Sequence, residues 1–390
     1  MAAQELNVDP IVEWLDGGAP GASSPQEILS QLCRRMLQAG ISLSRVAVFV
    51  RTLHPNVFGR AFYWREEREE VEVDEATHDF VGTREQLQST PAAVWASGRE
   101  IRRRLADPEC PMDYPVLADL RAEGMTDYLV APLRFLSGEV HAVSYATRRP
   151  GGFGEGEIAA LRRLLPPFTR LAEIAALNRK TRNILDAYLG HQAGEKVLAG
   201  QIRRGDGEEI RAVIWFCDLR DSTPLADSMN REAFLRLLND YFECVLGPVQ
   251  ERGGEILRFI GDAALAIFPI GTQPAAVACA KAVDAARDAV ARMQELNAKR
   301  KQAGGRRLRF GIGLHLGLVL YGNIGTPTRI EFTVIGAAAN EAARIEALCK
   351  ALKVDLILSE HVARHLPTRP RSLGKHALRG VGEPVELFTL

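Results

Sequence analysis

Hydrophobic spacing along the chain changes character near its middle. In the first half, SSPQEILSQLCRRMLQAG sets apolar residues at helical spacing behind serine and proline and ahead of glycine, which predicts a capped helix. RVAVFVRTL alternates as a strand does, and GRAFYW predicts a second strand. Residues before about Ser24 are expected to be weakly organised, with GGAPGASSP as a loop. The charged run REEREEVEVDE predicts a hairpin edge or loop in solvent. YLVAPLRF and EVHAVSYAT predict two strands around the Ser137-Gly138 turn, followed by a glycine-rich loop. From Glu155 to about Leu189 the pattern is helical, with an interruption expected at Pro166-Pro167. Past the prolines, Leu171, Ile174, Leu177, Ile184 and Tyr188 fall near one stripe, which predicts packing on a second copy as a short coiled coil, with packing on its own domain as the alternative.

From Glu209 onward, strands and helices alternate. IRAVIWFCDL predicts a strand buried on both faces, and NREAFLRLLNDYFECVLGPVQERGG a helix ended by glycines. EILRF and ALAIF predict two strands joined by the turn dipeptide Gly261-Asp262. A long Ala-rich helix follows from Pro274, then LRFGIGLHLG, LVLYGNIG and IEFTVIG as strands, then AAANEAARIEALCKAL as a helix. The expected fold class is α/β (α+β). The expected organisation is an N-terminal segment 1–23, a first domain 24–175, a helical linker or dimerisation segment 176–204 and a second domain 205–390.

Composition narrows the function classes. Lys plus Arg equals Asp plus Glu at 49 each, so no overall basic field gathers nucleic acid or an anionic membrane. No apolar run reaches the ~18 residues of a membrane span. MAAQELNVDPIVEWL lacks the basic start and apolar core of a signal peptide. Cys33, Cys110, Cys217, Cys244, Cys279 and Cys349 are far apart with no C-x-x-C, which predicts free thiols and a cytoplasmic location.

The candidate chemistry centres on two aspartates. Asp218 ends the apolar strand in WFCDLRDST, and Asp262 sits at a hairpin tip. Facing a cleft together, they suit hard cations with oxygen ligands. Taken singly, Asp218 is equally a strand-end cap and Asp262 a turn former. Ser222 and Thr223 lie at a predicted helix start that offers backbone N–H groups to an anion. Asn340 and Arg344 are four apart on one helix face, suited to a ribose and a phosphate or simply to solvent. Arg102-Arg103-Arg104 is expected to be a solvated face or loop, and His361 with His365 an exposed helix pair without a third metal ligand.

In the order FCDLRDST, EILRFIGDAALAIF, GIGLHLGLVLYGNIG, EFTVIG and NEAARIEAL, residues 205–390 resemble a class III nucleotidyl cyclase catalytic domain. The resemblance implies a ferredoxin-like sandwich in which Asp218 and Asp262, with the carbonyl of Leu219, hold two Mg²⁺ or Mn²⁺ ions per site. It implies that Arg344 stabilises charge on the reacting phosphate, Asn340 orients the ribose, and Arg258 and Thr333 contact the base. The implied reaction is ATP to 3′,5′-cyclic AMP and pyrophosphate, in a homodimer whose sites draw on both copies. Family adenylate cyclases carry lysine where this chain has Arg258, and arginine also suits guanine O6. Thr333 resembles the threonine-type, bicarbonate-responsive branch. The alternatives are a guanylate cyclase, or a non-catalytic module that binds nucleotide or only dimerises. A diguanylate cyclase is excluded, since Gly253-Gly254-Glu255 runs into ILRF instead of a GG(D/E)EF hairpin. In the first half, Tyr128-Leu-Val-Ala-Pro-Leu133, Gly138, Ala146-Thr147 and Gly151-Gly152-Phe153 resemble a GAF sensory domain. That implies a small-molecule ligand, with a dimerisation scaffold as the alternative.

Overall fold

A computed structural model describes residues 6–68 and 70–390. The opening MAAQE and Glu69 of the charged run lie outside the described residues. The chain divides into two compact units, Met1–Ala187 and Tyr188–Leu390.

The first unit begins with α1 (Asp9–Asp16) and α2 (Pro25–Gln38). It continues through β1 (Arg45–Arg51), β2 (Val57–Arg65), β3 (Glu72–Thr77), α3 (Arg84–Leu87), α4 (Thr90–Ser97) and β4 (Ile101–Arg103). It closes with α5 (Pro115–Ala122), β5 (Asp127–Arg134), β6 (Val140–Thr147) and α6 (Glu155–Leu189), whose last two residues belong to the second unit. The strands form one antiparallel sheet in the order β3-β2-β1-β6-β5-β4. Alternation along β1 sends Val46 and Val48 into a core with α1, α2 and α6. The opposite face packs Tyr128, Val130, Ala142 and Ala146 with residues of α4 and α5. At the start of α2, Ser24 accepts a hydrogen bond from the Glu27 N–H, the cap its sequence signals.

Three expectations are corrected here. The segment before Ser24 contains α1, because Val8, Ile11, Trp14 and Leu15 find a core to bury in and the Trp14 indole donates to the Pro20 carbonyl at 3.1 Å. α6 runs unbroken through Pro166 and Pro167. Burial of Leu161, Leu164, Pro167 and Phe168 offsets the two hydrogen bonds the prolines cannot donate. Arg102 is only partly solvated: its guanidinium donates to the fully buried Asp127 at 2.7 Å and to the Phe153 carbonyl at 2.7 Å.

The second unit opens with α7 (His191–Leu198) and β7 (Gly207–Arg220). Next come α8 (Ser222–Asp227), α9 (Arg231–Glu251), β8 (Glu255–Ile260), β9 (Ala263–Pro269) and α10 (Ala275–Gln302). Then follow β10 (Arg309–Thr326), β11 (Arg329–Ile335), α11 (Ala337–Leu352), β12 (Leu356–Ser359), α12 (Glu360–Ala363), β13 (Arg371–His376) and β14 (Val385–Thr389). The sheet order is β13-β14-β12-β10-β7-β9-β8, with β11 paired to β10; the β10–β12 pair is parallel and the rest antiparallel. This is a mixed α+β fold.

One face of this sheet buries Trp215, Cys217 and Leu219 against α9 and α10. The other meets α11, β11 and α7. β10 is one strand of 18 residues where two were expected, since GLVLYG carries no residue that breaks the ladder to β7. α7 packs into the second unit: Glu255, buried, accepts from the Ala193 N–H at 3.1 Å and from the Tyr321 hydroxyl at 2.8 Å. Among the described residues no helix is long and apolar enough to cross a membrane.

Candidate active site

β7 carries Asp218 to the end of the sheet, where its register partners are Ala263 on β9 and Gly311 on β10. The β8–β9 hairpin turns at Gly261, whose φ of +65° suits glycine, and so holds Asp262 beside Asp218. The two carboxyl groups meet. Burial first, then the charge and hydrogen-bonding contact of Asp262, push the Asp218 carboxyl up to about 6 against the opposing pull of the Leu219 N–H. The Leu219 side chain is sealed in the core, so the backbone is its only polar contribution.

A third carboxyl, which the sequence reading missed, stands behind this pair. Glu346 on α11 is 6% exposed. Burial first, then Asp218, push its carboxyl up to about 7, with Arg220 opposing and Asp262 adding. Its sequence signal is weak: it lies two residues past Arg344 and shares the buried face of α11 with Ala342, Ile345 and Cys349. Glycines let it approach. A Cβ at Gly311 would sit 2.0 Å from the Glu346 carboxylate, and one at Gly313 2.6 Å from the Ala342 carbonyl. GIG in β10 is therefore a helix-docking surface.

Asp218 and Asp262 fit a divalent cation. They are hard oxygen donors set against each other, and a cation between them relieves the repulsion that burial strengthens. Among the described residues no three His, Cys, Asp or Glu side chains converge as a metal cluster.

After Asp218 the chain turns sharply. Asp221 adopts a left-handed conformation, φ 58° and ψ 36°, held by an ion pair with Arg309 and by Lys350 at 3.2 Å. This turn starts α8 at Ser222, with Thr223 exposed beside it.

The other candidates gather elsewhere in the unit. The Arg258 Nε donates to Glu331 on β11 at 3.0 Å. Thr333, buried and opposite Gly322, shares the face of β11 that carries Glu331. Glu331 is a second residue that sequence reasoning missed. Asn340 is exposed on α11, and Arg344, half-buried one turn later, lies against Gly380. Among the described residues no hydrogen bond or ion pair links the aspartate pair to Arg258, Thr333, Asn340 or Arg344.

With this geometry in place, comparison identifies the class. Residues 208–389 match the family model of the adenylate and guanylate cyclase catalytic domain. The second unit thus carries a class III cyclase catalytic domain. The chain is 36% identical over 169 residues to an adenylate cyclase of Anabaena cylindrica, covering 42% of this chain and 32% of that one. It is 33% identical over 221 residues to an uncharacterized protein of Mycobacterium tuberculosis, covering 54% of this chain and 38% of that one. The matched regions therefore span about a third of the length of these curated relatives. Among solved structures, the adenylyl cyclase CyaB from P. aeruginosa aligns at 25% identity and a TM-score of 0.44, over 47% of this chain and 94% of that one.

Proposed function

We propose that the chain is an adenylate cyclase converting ATP to 3′,5′-cyclic AMP and pyrophosphate, in sites shared by two copies and controlled by a GAF-like first unit. The observation that carries this reading is the meeting of Asp218 and Asp262 inside a cyclase-type domain. These two carboxylates and the Leu219 carbonyl would hold two Mg²⁺ or Mn²⁺ ions. Bound there, the ions supply Lewis-acid activation of the ribose 3′-hydroxyl and neutralise the leaving pyrophosphate. Arg344 sets its charge where negative charge grows on the α-phosphate, so its loss lowers turnover more than affinity. Asn340, one helical turn earlier, holds the ribose. Ser222 and Thr223 offer backbone N–H groups to the phosphates, and Arg258 with Thr333 reads the base.

Sharing between copies is consistent with the two residue sets having no hydrogen bond or ion pair between them among the described residues. It is also supported by exposed apolar side chains beside the base-reading residues: Phe259 and Ile260 next to Arg258, and Ile330 and Ile335 around Thr333. The exposed Ile174, Leu177, Ile184 and Tyr188 of α6 support a helical contact between copies. Six free cysteines support a reducing, cytoplasmic setting.

One observation favours a second reading. Arg258 and Glu331 place a donor beside an acceptor, which complements the O6 and N–H edge of guanine. Cyclic nucleotide output from ATP and from GTP, with Mg²⁺ or Mn²⁺, decides between them for wild type, Arg258→Lys and Glu331→Ala. Cyclic AMP from wild type is the expected product. Predominant cyclic GMP, lost in Glu331→Ala, establishes the guanylate reading. Bound nucleotide with no product establishes the non-catalytic module.

A further inference from the structure

We infer that the first unit binds a small aliphatic carboxylate in a cavity enclosed by α2, the β1–β2 pair and α6. The cavity holds about 90 Å³. Val48, Val50 and Phe62 line its sheet side. On α6, Ala172 and Ala175 face it, so the space exists because small residues stand where larger ones would fill it.

Three arginines also line the cavity. Arg51 turns its guanidinium to the Trp95 ring on the opposite face of the sheet, which leaves Arg60 and Arg179 to face the space. Arg60 lies directly opposite Val50 in register, which places it on the same face of the sheet. Its guanidinium pairs with Glu75, its neighbour on β3. Arg179 has no hydrogen-bonded carboxylate partner among the described residues. Burial first, and then the charge of Arg60, hold the Arg179 guanidinium below its usual range. The lining thus sets two inward guanidinium groups and one carboxylate partner against a wall that, apart from Arg51 and Thr52, is apolar.

That combination selects the ligand. An apolar body fills the cavity, and one anionic head bridges the guanidinium groups in charge-assisted hydrogen bonds. A cation meets the wrong sign of charge, and an alcohol leaves Arg179 unpaired. The volume is below the ~150 Å³ that accepts benzene, so only a short alkyl tail is buried, the carboxylate stays at the arginines on the rim, and a nucleotide is excluded. This inference does not depend on the cyclase reading, because binding is measured directly.

The test is isothermal titration of the full chain with hexanoate, hexanol and hexylamine. Saturable binding of hexanoate at one per chain is expected, with hexanol at least about tenfold weaker, the value of a charge-assisted hydrogen bond. Arg179→Gln, at an exposed position, is expected to keep the wild-type melting temperature and weaken hexanoate by about tenfold. Ala175→Phe fills the cavity and abolishes binding. The absence of saturable hexanoate binding overturns the site. So does undiminished binding to a folded Ala175→Phe chain. Equal affinity for hexanol and hexanoate, unchanged by Arg179→Gln, overturns the anionic head. If Ala175→Phe does not fold, the hexanoate-to-hexanol ratio and Arg179→Gln decide alone.

Discussion

Adding one methyl group at Gly313 tests how the sheet positions the α11 residues. A Cβ there would lie 2.6 Å from the Ala342 carbonyl oxygen, 2.6 Å from the Glu346 nitrogen and 3.0 Å from the Glu346 Cα. All three atoms are backbone, so no change of rotamer relieves the contact. Ordinary contact begins at 3.4 Å, so the helix must retreat by 3.4 − 2.6 = 0.8 Å or the strand must yield by as much. Overpacking of this kind costs about 1–3 kcal/mol. In a unit of this size that lowers the melting temperature by about 2–12 °C. Asn340 and Arg344 ride on α11, and a misplacement of about 1 Å at a reacting centre lowers rates by about 100-fold. Gly313→Ala should therefore melt lower and, assayed below its transition, make cyclic nucleotide far more slowly. Gly382→Ala is the control: a Cβ there would meet no atom within 4 Å and its backbone is not left-handed, so both measurements should stay at wild-type values. A Gly313→Ala chain that melts with wild type refutes the packing argument. One that melts lower yet keeps its full rate refutes the role given to α11.

Asp218→Asn should melt higher than wild type above pH 6 in the presence of EDTA. A carboxyl raised to about 6 when folded loses stability as pH rises from about 4 through 6, and asparagine escapes that loss, worth about 1–3 kcal/mol. Mn²⁺ should raise the melting temperature of wild type and leave the variant unmoved; a lower melting point for the variant in EDTA contradicts the crowded-carboxylate account. Mixing Asp218→Ala chains with Arg344→Ala chains should restore up to about a quarter of wild-type activity, because half the dimers would carry one complete site in two. Heterodimers that form without any gain in rate contradict site sharing. Burial pushes His141 down to about 4, so the stability it lends the first unit is complete above about 6.5 and is lost as pH falls toward 4. Hydrogen-exchange protection factors in β1 and β6 should fall between pH 7 and 5 by less in His141→Gln than in wild type.

Local patterns made much of this legible. Asp218 and Asp262 stand out because each ends or joins strands whose apolar runs are unmistakable, and the structure puts the two together. The helical period placed Asn340 and Arg344 one turn apart on a helix, and both lie on α11. What escaped depends on contacts distant in sequence. Arg102 reads as part of a solvent-facing triplet until the fold delivers Asp127 from β5. Two prolines read as a helix break, yet the core around Phe168 holds α6 straight through them. Glu346 looks like any acidic helix residue until the glycines of β10 draw it beneath Asp218, and Glu331 gains its meaning only when β11 reaches β8.

The buried carboxylates show what the rest of the second unit must offset. Burial and then Asp262 push Asp218 toward its neutral form, and burial and then Asp218 do the same to Glu346. The nearby Arg220 helps, but its guanidinium is anchored to the Val354 carbonyl at 2.7 Å and its Nε has no partner, so it does not neutralise either carboxyl by a direct bond. Such an arrangement destabilises the fold, and it persists because the opposite face of the same strands, through Trp215, Cys217 and Leu219, is sealed against α9 and α10. β7 therefore divides its labour by residue parity. Trp215, Cys217 and Leu219 at odd positions pack against α9 and α10, and Asp218, beyond the buried Ala212 and Ile214 on the even face, looks toward α11 where Gly311 and Gly313 have cleared the space. Because the two duties lie on opposite faces, substitutions on the α9–α10 side should alter stability while leaving the carboxylate pair in place, whereas substitutions on the α11 side should disturb both.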